Sequence, residues 1–305
     1  MTEEEINAIR KNFQITEDEF EFMYKQAEIL TFSGIKPAQE RPTAVLTGGQ
    51  PGAGKTGLML KTKQEFAQKD MDIVSFDLDS YRCFYKNAGI IARDYPEFYA
   101  DITGKAAGKV MERLSEKAIK EGYNFILEGT MGKSVYTLDV LKDLGADFNI
   151  VARLMAVSRE ESLLSIFERY IEMRKSMGIG RLTTIESHDS KYDNFPKVAS
   201  TIEARNVEVE VYERSKSIEN ISRPQMTYKT KSNSNIYSSV EEALQRGRQT
   251  SRKRCLSCAE SRLEDIKNDI LCFKDDIGLV MEFEKLESII KGELNIQNNE
   301  LGAIE

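Results

Sequence analysis

The sequence predicts an α/β fold, a mostly parallel sheet flanked by helices, followed by a C-terminal helical extension. Three observations predict it. From about residue 43 to 212, short apolar β-prone segments alternate with helical ones, the pattern of strands joined by crossover helices. Residues Gly49 to Thr56 read Gly-Gln-Pro-Gly-Ala-Gly-Lys-Thr, a complete G-x-x-x-x-G-K-[ST] phosphate-binding loop set between a strand and a helix. Beyond a polar linker, Leu256, Ala259, Leu263, Ile266, Ile270, Phe273, Ile277 and Val280 recur at spacings of three and four, a heptad seam.

The elements follow in order. Two helical stretches fill residues 2 to about 31, parted near Gln14-Ile15-Thr16. Thr16 and Glu19 make a capping box for the second. Gly34 to Pro42 reads as a loop. Thr43–Thr47 is the strand before the phosphate loop, and a helix follows it to about Lys69. Asp72–Phe76 is a second strand, ending in Asp77-Leu78-Asp79. A polar, Tyr-rich connection then runs through Tyr95-Pro96. A helix over about 105–121 precedes the strand Tyr123–Leu127, and another over about 134–144 precedes the strand Phe148–Val157. A long helix over about 159–175, a glycine break at Gly178 and Gly180, and a helix from about Thr184 to Arg205 come next. Val207–Tyr212 alternates with period two, as a strand should. A helix starts near Ser239, and Gly278 is the expected break in the seam. Residues 1–230 form the expected catalytic domain, and residues 231–305 the linker and helical tail.

Composition bounds the function. A chain of 305 residues with 40% hydrophobic and 30% charged content buries one sizeable core and carries an appendage. A formal charge of −7 with no basic face argues against nucleic acid as a partner. The four cysteines, Cys83, Cys255, Cys258 and Cys272, are too few and too clustered for a disulfide framework, which predicts a reducing cytoplasm. The acidic start Met1-Thr2-Glu3-Glu4-Glu5 is no signal peptide, and no apolar run approaches a membrane span. A soluble, cytoplasmic protein without membrane partners is expected.

The loop carries the chemistry. Its glycines let the backbone wrap a phosphate chain, and N–H groups at the following helix start point at the anion. Lys55 is expected on the β- and γ-phosphates, and the Thr56 hydroxyl on Mg²⁺. Ligands of parallel sheets sit at the carboxyl ends of strands. Three such ends carry loaded residues: Lys55 and Thr56, Asp77 and Asp79, and Glu128 and Thr130. Asp79 is placed to take a proton from an acceptor hydroxyl. Asp77, two residues earlier, points to the other side as a structural carboxylate. Arg169 and Arg181 flank the glycine break as a cationic lid. Together these residues predict a P-loop kinase fold.

The same residues resemble the zeta toxin family, phosphoryl-transfer enzymes of bacterial toxin–antitoxin modules. The matching stretches are Leu46–Thr56, with Gly48, Gly49, Gln50, Pro51, Gly52, Ala53, Gly54, Lys55 and Thr56 at the nucleotide, then Phe76–Asp79, Glu121–Thr130, Met155–Val157, Ile166–Tyr170 and Gly180-Arg181 with His188-Asp189. The resemblance spans about residues 40 to 215. It implies a kinase that phosphorylates the 3′-hydroxyl of the aminosugar in UDP-N-acetylglucosamine, using ATP or GTP with Mg²⁺. The product would be a dead-end cell-wall precursor, and an antitoxin protein the expected partner. It further implies Asp79 as base, Lys55 on the phosphates, Arg169 and Arg181 on the γ-phosphate, and Glu128 and Thr130 at the sugar nucleotide. Glu112 falls at a further substrate position. Two features depart from the family. Gly132 stands where a basic residue is usual, with Lys133 one place later, and Tyr95-Pro96 replaces a His-Pro pair. Both lie on the acceptor side.

Two other functions fit parts of the sequence. One is a P-loop kinase for another small hydroxyl acceptor, an antibiotic or a nucleoside. The other is a non-catalytic, nucleotide-dependent interaction protein whose tail does the work; Asp79 and both arginines argue against it. His188, the single histidine, reads as a packing or capping residue rather than a catalytic one. Cys255-Leu256-Ser257-Cys258 lacks the further ligands of a zinc site and reads as two helix residues. The tail seam is expected to pack on its own catalytic domain, oligomerisation or partner docking being the alternatives.

Overall fold

The computed structural model describes residues 3–95, 98–129, 144–145, 147–178, 180, 182–214, 224–230, 232, 236–274 and 276–302. Strands β1 (Thr43–Gly48), β2 (Val74–Ser75), β3 (Phe125–Gly129), β4 (Asn149–Met155), β5 (Glu208–Arg214) and β6 (Pro224–Lys229) form one sheet in the order β2-β3-β1-β4-β5-β6. The first five are parallel, and β6 runs antiparallel along the edge of β5. Central β1 shows why a parallel strand reads as an apolar run: Ala44, Val45 and Leu46 are buried between layers on both faces. Edge strand β6 was not anticipated, because Pro224–Lys229 has polar residues and a proline where a buried strand would be apolar.

The helices are α1 (Glu3–Asn12), α2 (Glu17–Phe32), α3 (Lys55–Ala67), α4 (Leu78–Arg82), α5 (Ala88–Asp94), α6 (Tyr99–Glu121), α7 (Arg159–Met177), α8 (Ile185–Ala204), α9 (Val240–Leu256), α10 (Ala259–Ile270) and α11 (Ile277–Gly302). Their starts follow the expected chemistry. Thr16 and Glu19 close the capping box of α2, and the hydroxyls of Ser158, Thr184 and Ser239 cap α7, α8 and α9. The connection after β2 differs from the expected open loop. Asp77 caps α4 by accepting from the Asp79 and Ser80 N–H groups, α5 buries Ala88 and Ile91, and α6 begins at Tyr99, earlier than expected. The helix expected over about 134–144 lies, apart from Leu144, outside the described residues.

Three large apolar clusters join most of the layers, and two small ones seat α3 on the sheet through Leu58 and Phe66. One joins α2, α4, α5 and α6 to the β2–β3 side of the sheet. A second joins β4 and β5 to α8 and to Val240, Ala243 and Leu244 of α9. The third packs α9, α10 and α11 on α7, where Leu163, Leu164, Phe167, Tyr170 and Ile171 meet Leu256, Leu263, Ile266, Ile270, Leu286 and Ile290. The tail seam thus packs on its own chain, but not as one helix. It breaks at Ser257-Cys258 and again across the 3₁₀ turn Leu271–Phe273, before Gly278 rather than at it. The physical reason is geometric: three separate helices, two of 17 and 12 residues and a last one of 26, can each lay an apolar face on α7, which one straight helix cannot. Ile277 accordingly leaves the seam and is 72% exposed. Cys258 falls between α9 and α10, outside a helix, while Cys255 is buried in α9. Among the described residues no helix is long and apolar enough to cross a membrane.

Candidate active site

The phosphate loop is held from below. Gln50 is fully buried, and its amide nitrogen donates to the Val157 carbonyl at 2.9 Å and to Ser162 Oγ at 3.2 Å. Gly52 has φ +76°, and a Cβ there would lie 2.1 Å from the Ser162 carbonyl oxygen of α7. Only glycine lets the loop lie that close to the helix. Ser162 meets His188 Nε2 at 2.8 Å, and His188 Nδ1 meets Asp189 Oδ1 at 2.9 Å. Asp189 is itself gripped by Arg159 at 2.9 and 2.7 Å. Burial holds the His188 ring below its ordinary pKa, so it is neutral. A carboxylate can only accept, so Nδ1 carries a proton toward Asp189 while Nε2 faces the Ser162 hydroxyl. His188 therefore supports the loop, in line with its reading as a packing residue.

Lys55 opens α3, whose N-terminus is the ready-made anion site of such loops. Its Nζ is buried and donates to the carbonyls of Gly49 (3.0 Å) and Gln50 (3.2 Å). Burial pushes its pKa down to about 8. Glu128, whose carboxylate is 3.8 Å away, opposes that shift, while Arg169 and Lys191 reinforce it. Glu128 is adjacent by register: β3 pairs with β1 so that Glu128 stands beside Thr47. Thr56 follows Lys55 in the first turn of α3, with its residue exposed. Arg153 of β4 locks α3 over the sheet through Thr62 (2.8 Å), Glu65 (2.7 Å) and Glu210 (2.9 Å).

Asp79 lies in the first turn of α4, its side chain 72% exposed. Arg82 Nε donates to Asp79 Oδ1 at 3.1 Å, and Arg82 is itself anchored on the Ala100 carbonyl (2.6 Å) and Thr103 Oγ1 (2.8 Å) of α6. Asp77 is the cap of α4, the structural role expected of it. Arg169 is exposed on α7, close enough to Lys55 for its charge to be felt there. Gly178 ends α7 in the left-handed conformation at φ +73°. Glu112 is exposed on α6, nine residues past Thr103 and so about 14 Å further along the helix. Thr130, Arg181, Gly132, Lys133 and Pro96 lie outside the described residues.

Several contributors were missed. Arg82 follows Asp79 by one turn, a spacing that brings side chains together. Lys191 of α8 donates to Ser187 at 2.6 and 3.1 Å and adds to the positive field at Lys55. Arg214, the last residue of β5, donates to the carbonyls of Gly52 and Ala53, the latter at 3.3 Å. Inspecting the carboxyl end of the fifth strand as closely as the first three would have found it.

The chain is similar to known proteins in sequence and in fold. The family model described as "Zeta toxin" matches residues 26–224, ending before α9. The zeta toxin of Streptococcus agalactiae is 29% identical over 190 residues, which cover 61% of this chain and 64% of that protein. The chain thus spans somewhat under two thirds of that relative. The toxin PezT of Streptococcus pneumoniae is 28% identical over 239 residues, covering 76% of this chain and 89% of that protein. A solved structure from the PezAT chromosomal toxin–antitoxin system of Streptococcus pneumoniae superposes with a TM-score of 0.66 at 25% identity, over 84% of this chain and 98% of that one. The fold is P-loop kinase-like.

Proposed function

The chain belongs to the zeta toxin family, and from that premise we propose that it transfers the γ-phosphoryl group of ATP or GTP to the 3′-hydroxyl of the aminosugar in UDP-N-acetylglucosamine. The observation that carries the reading is the pairing of Lys55, buried under a complete phosphate loop, with Glu128 on the neighbouring strand at 3.8 Å. A loop that merely turns between strand and helix needs neither a buried ammonium nor a carboxylate beside it.

The residues divide the work. N–H groups of the loop that are left free at the start of α3 take the phosphate chain within Gly48 to Thr56, and Lys55 exchanges its carbonyl contacts for phosphate oxygens. The exposed Thr56 hydroxyl fits a divalent cation; Mg²⁺ held there would neutralise phosphate charge. The left-handed loop at Gly52, too narrow for a Cβ, fits a backbone cradle around an anion. Asp79, oriented by Arg82, accepts the proton of the sugar hydroxyl as its oxygen bonds to the γ-phosphorus. The bond from that phosphorus to the β-phosphate oxygen breaks, and ADP or GDP leaves. Arg169, with Arg181 across the glycine break, stabilises charge on the transferring group. Glu128, Thr130 and Glu112 are assigned to the sugar nucleotide.

An antitoxin protein is the proposed macromolecular partner, by analogy with the PezAT system, and a cytoplasmic location follows from the proposed substrates. The reading is tested by ADP release from ATP and Mg²⁺ with and without UDP-N-acetylglucosamine. Acceptor-dependent release that disappears in Asp79→Asn supports it. Release that responds instead to an aminoglycoside or a nucleoside would move the assignment to another hydroxyl acceptor.

A further inference from the structure

Helix α9 lies outside the residues matched to the family, yet its side chains reach the phosphate loop in two steps. Arg254, in its last turn, donates Nη2 to both oxygens of Glu161 (3.1 and 2.8 Å) and Nη1 to the main-chain carbonyl of Arg214 (2.5 Å). Glu161, buried in the first turn of α7, also accepts from Ser251 of α9 and from Arg214 Nη1 at 3.4 Å. Arg214 completes the path by donating to the carbonyls of Gly52 and Ala53, and its Nη1 also donates to Ser165 Oγ of α7 at 2.9 Å. From α10, Arg262 reaches the same Ser165 at 3.3 Å and pairs with Glu168 at 2.6 and 2.7 Å. Glu161, Ser165 and Glu168 are spaced by four and three, so they form one polar stripe along α7. Guanidinium groups from β5, α9 and α10 converge on it.

The consequence is directional. A peptide unit is planar and trans, so its N–H points opposite its carbonyl. Turning the Gly52 carbonyl onto Arg214 aims the Ala53 N–H the other way, where it closes a turn on the Gln50 carbonyl at 3.1 Å. Turning the Ala53 carbonyl onto Arg214 likewise aims the Gly54 N–H away from that guanidinium.

We propose that Arg254 is a positioning residue through which the C-terminal helices set the shape of the phosphate loop, acting by way of Glu161 and Arg214. This rests on the phosphate-binding role given to the loop under the proposed function. It adds that nucleotide affinity belongs in part to helices beyond the family match.

Amide hydrogen exchange of the full-length protein over residues 49–58, without nucleotide, tests the proposal. Wild type, Arg254→Ala and Arg252→Ala are compared. Arg252 sits two residues earlier on α9 and pairs with Glu293 and Glu160. Loop exchange should quicken about tenfold in Arg254→Ala, with a matching rise in the Kd for Mg-ATP, a usual size for coupling between sites. Arg252→Ala should leave both unchanged, and Arg254→Lys should recover part of the loss. If the alanine variant fails to fold, Arg254→Gln, which keeps most of the aliphatic stem and a polar end but no charge, is measured instead with the same expectation. Loop exchange equal to wild type in the folded Arg254 variant would overturn the proposal. Wild type with no nucleotide affinity would sink the proposed function, while the exchange comparison would still decide the role of Arg254.

Discussion

The Lys55 ammonium at the start of α3 and the Glu128 carboxylate near the end of β3 stand 3.8 Å apart, the lysine nearly enclosed and the glutamate 38% exposed. The pair is unequal: burial pulls the lysine down to about 8, and Glu128 is the group that keeps its proton on.

Nucleotide affinity should therefore depend on pH in a defined direction. Phosphate binding needs the ammonium, so Kd is expected to be flat below about pH 7 and to rise as the pH passes about 8. Glu128→Gln removes the opposing carboxylate and should move that rise to lower pH. Stability runs the other way. Lys55 is depressed from 10.5, so the cost of burying its charge is full below about 8 and is relieved as pH climbs toward 10.5. Calorimetric titration with nucleotide across this range checks the first trend; a Kd independent of pH beyond about 9 would contradict it.

Asp79→Asn should leave nucleotide affinity intact and lower kcat by about 10²- to 10⁴-fold, because an amide cannot take the hydroxyl proton. Its exposure makes a large stability loss unexpected. Near-normal turnover of this variant would remove Asp79 from the mechanism.

Gly52→Ala should destabilise the loop and abolish nucleotide binding. The new Cβ would meet the Ser162 carbonyl, in addition to about 1–2 kcal/mol for a left-handed alanine. Gly34→Ala is the control. It has the same φ of +76° but open space around it, so it should carry the backbone cost alone. Thermal melts with and without nucleotide separate the two effects.

Arg169→Ala and Arg181→Ala should each lower kcat more than they weaken substrate binding, as expected of groups that act on charge developing in transfer. A pure rise in KM would leave them as binding residues only.

Much of this architecture was legible in the sequence, and the exceptions have physical causes. The strand–loop–helix around Lys55, the capped helix starts at Thr16, Thr184 and Ser239, and the existence of five parallel strands, though not their order in the sheet, follow from local chemistry that tertiary contacts do not override. Edge strand β6 was hidden because it is polar on a sheet edge. The broken path of α9 to α11 was hidden because heptad spacing reports which face is buried, not whether the helix bends around its partner. Arg82, Arg214 and His188 act through contacts with residues distant in sequence, Thr103, Gly52 and Ser162 among them, and spacing carries no trace of those.

Removal of residues 240–305 should lower the melting temperature and solubility of the remaining chain. It would bare Leu163, Phe167 and Ile171 of α7, which now pack against Leu263, Ile266 and Leu286. Light scattering and a thermal melt check it; an equally stable, active monomer would show that the tail is dispensable to the core.

The central claim is phosphoryl transfer to the sugar nucleotide, and mass spectrometry of UDP-N-acetylglucosamine incubated with ATP, Mg²⁺ and the protein tests it most directly. The account predicts UDP-N-acetylglucosamine carrying one additional phosphoryl group on the aminosugar, formed in step with ADP and lost in Asp79→Asn. ADP without a phosphorylated sugar nucleotide, or neither product from a folded protein that binds nucleotide, would contradict it.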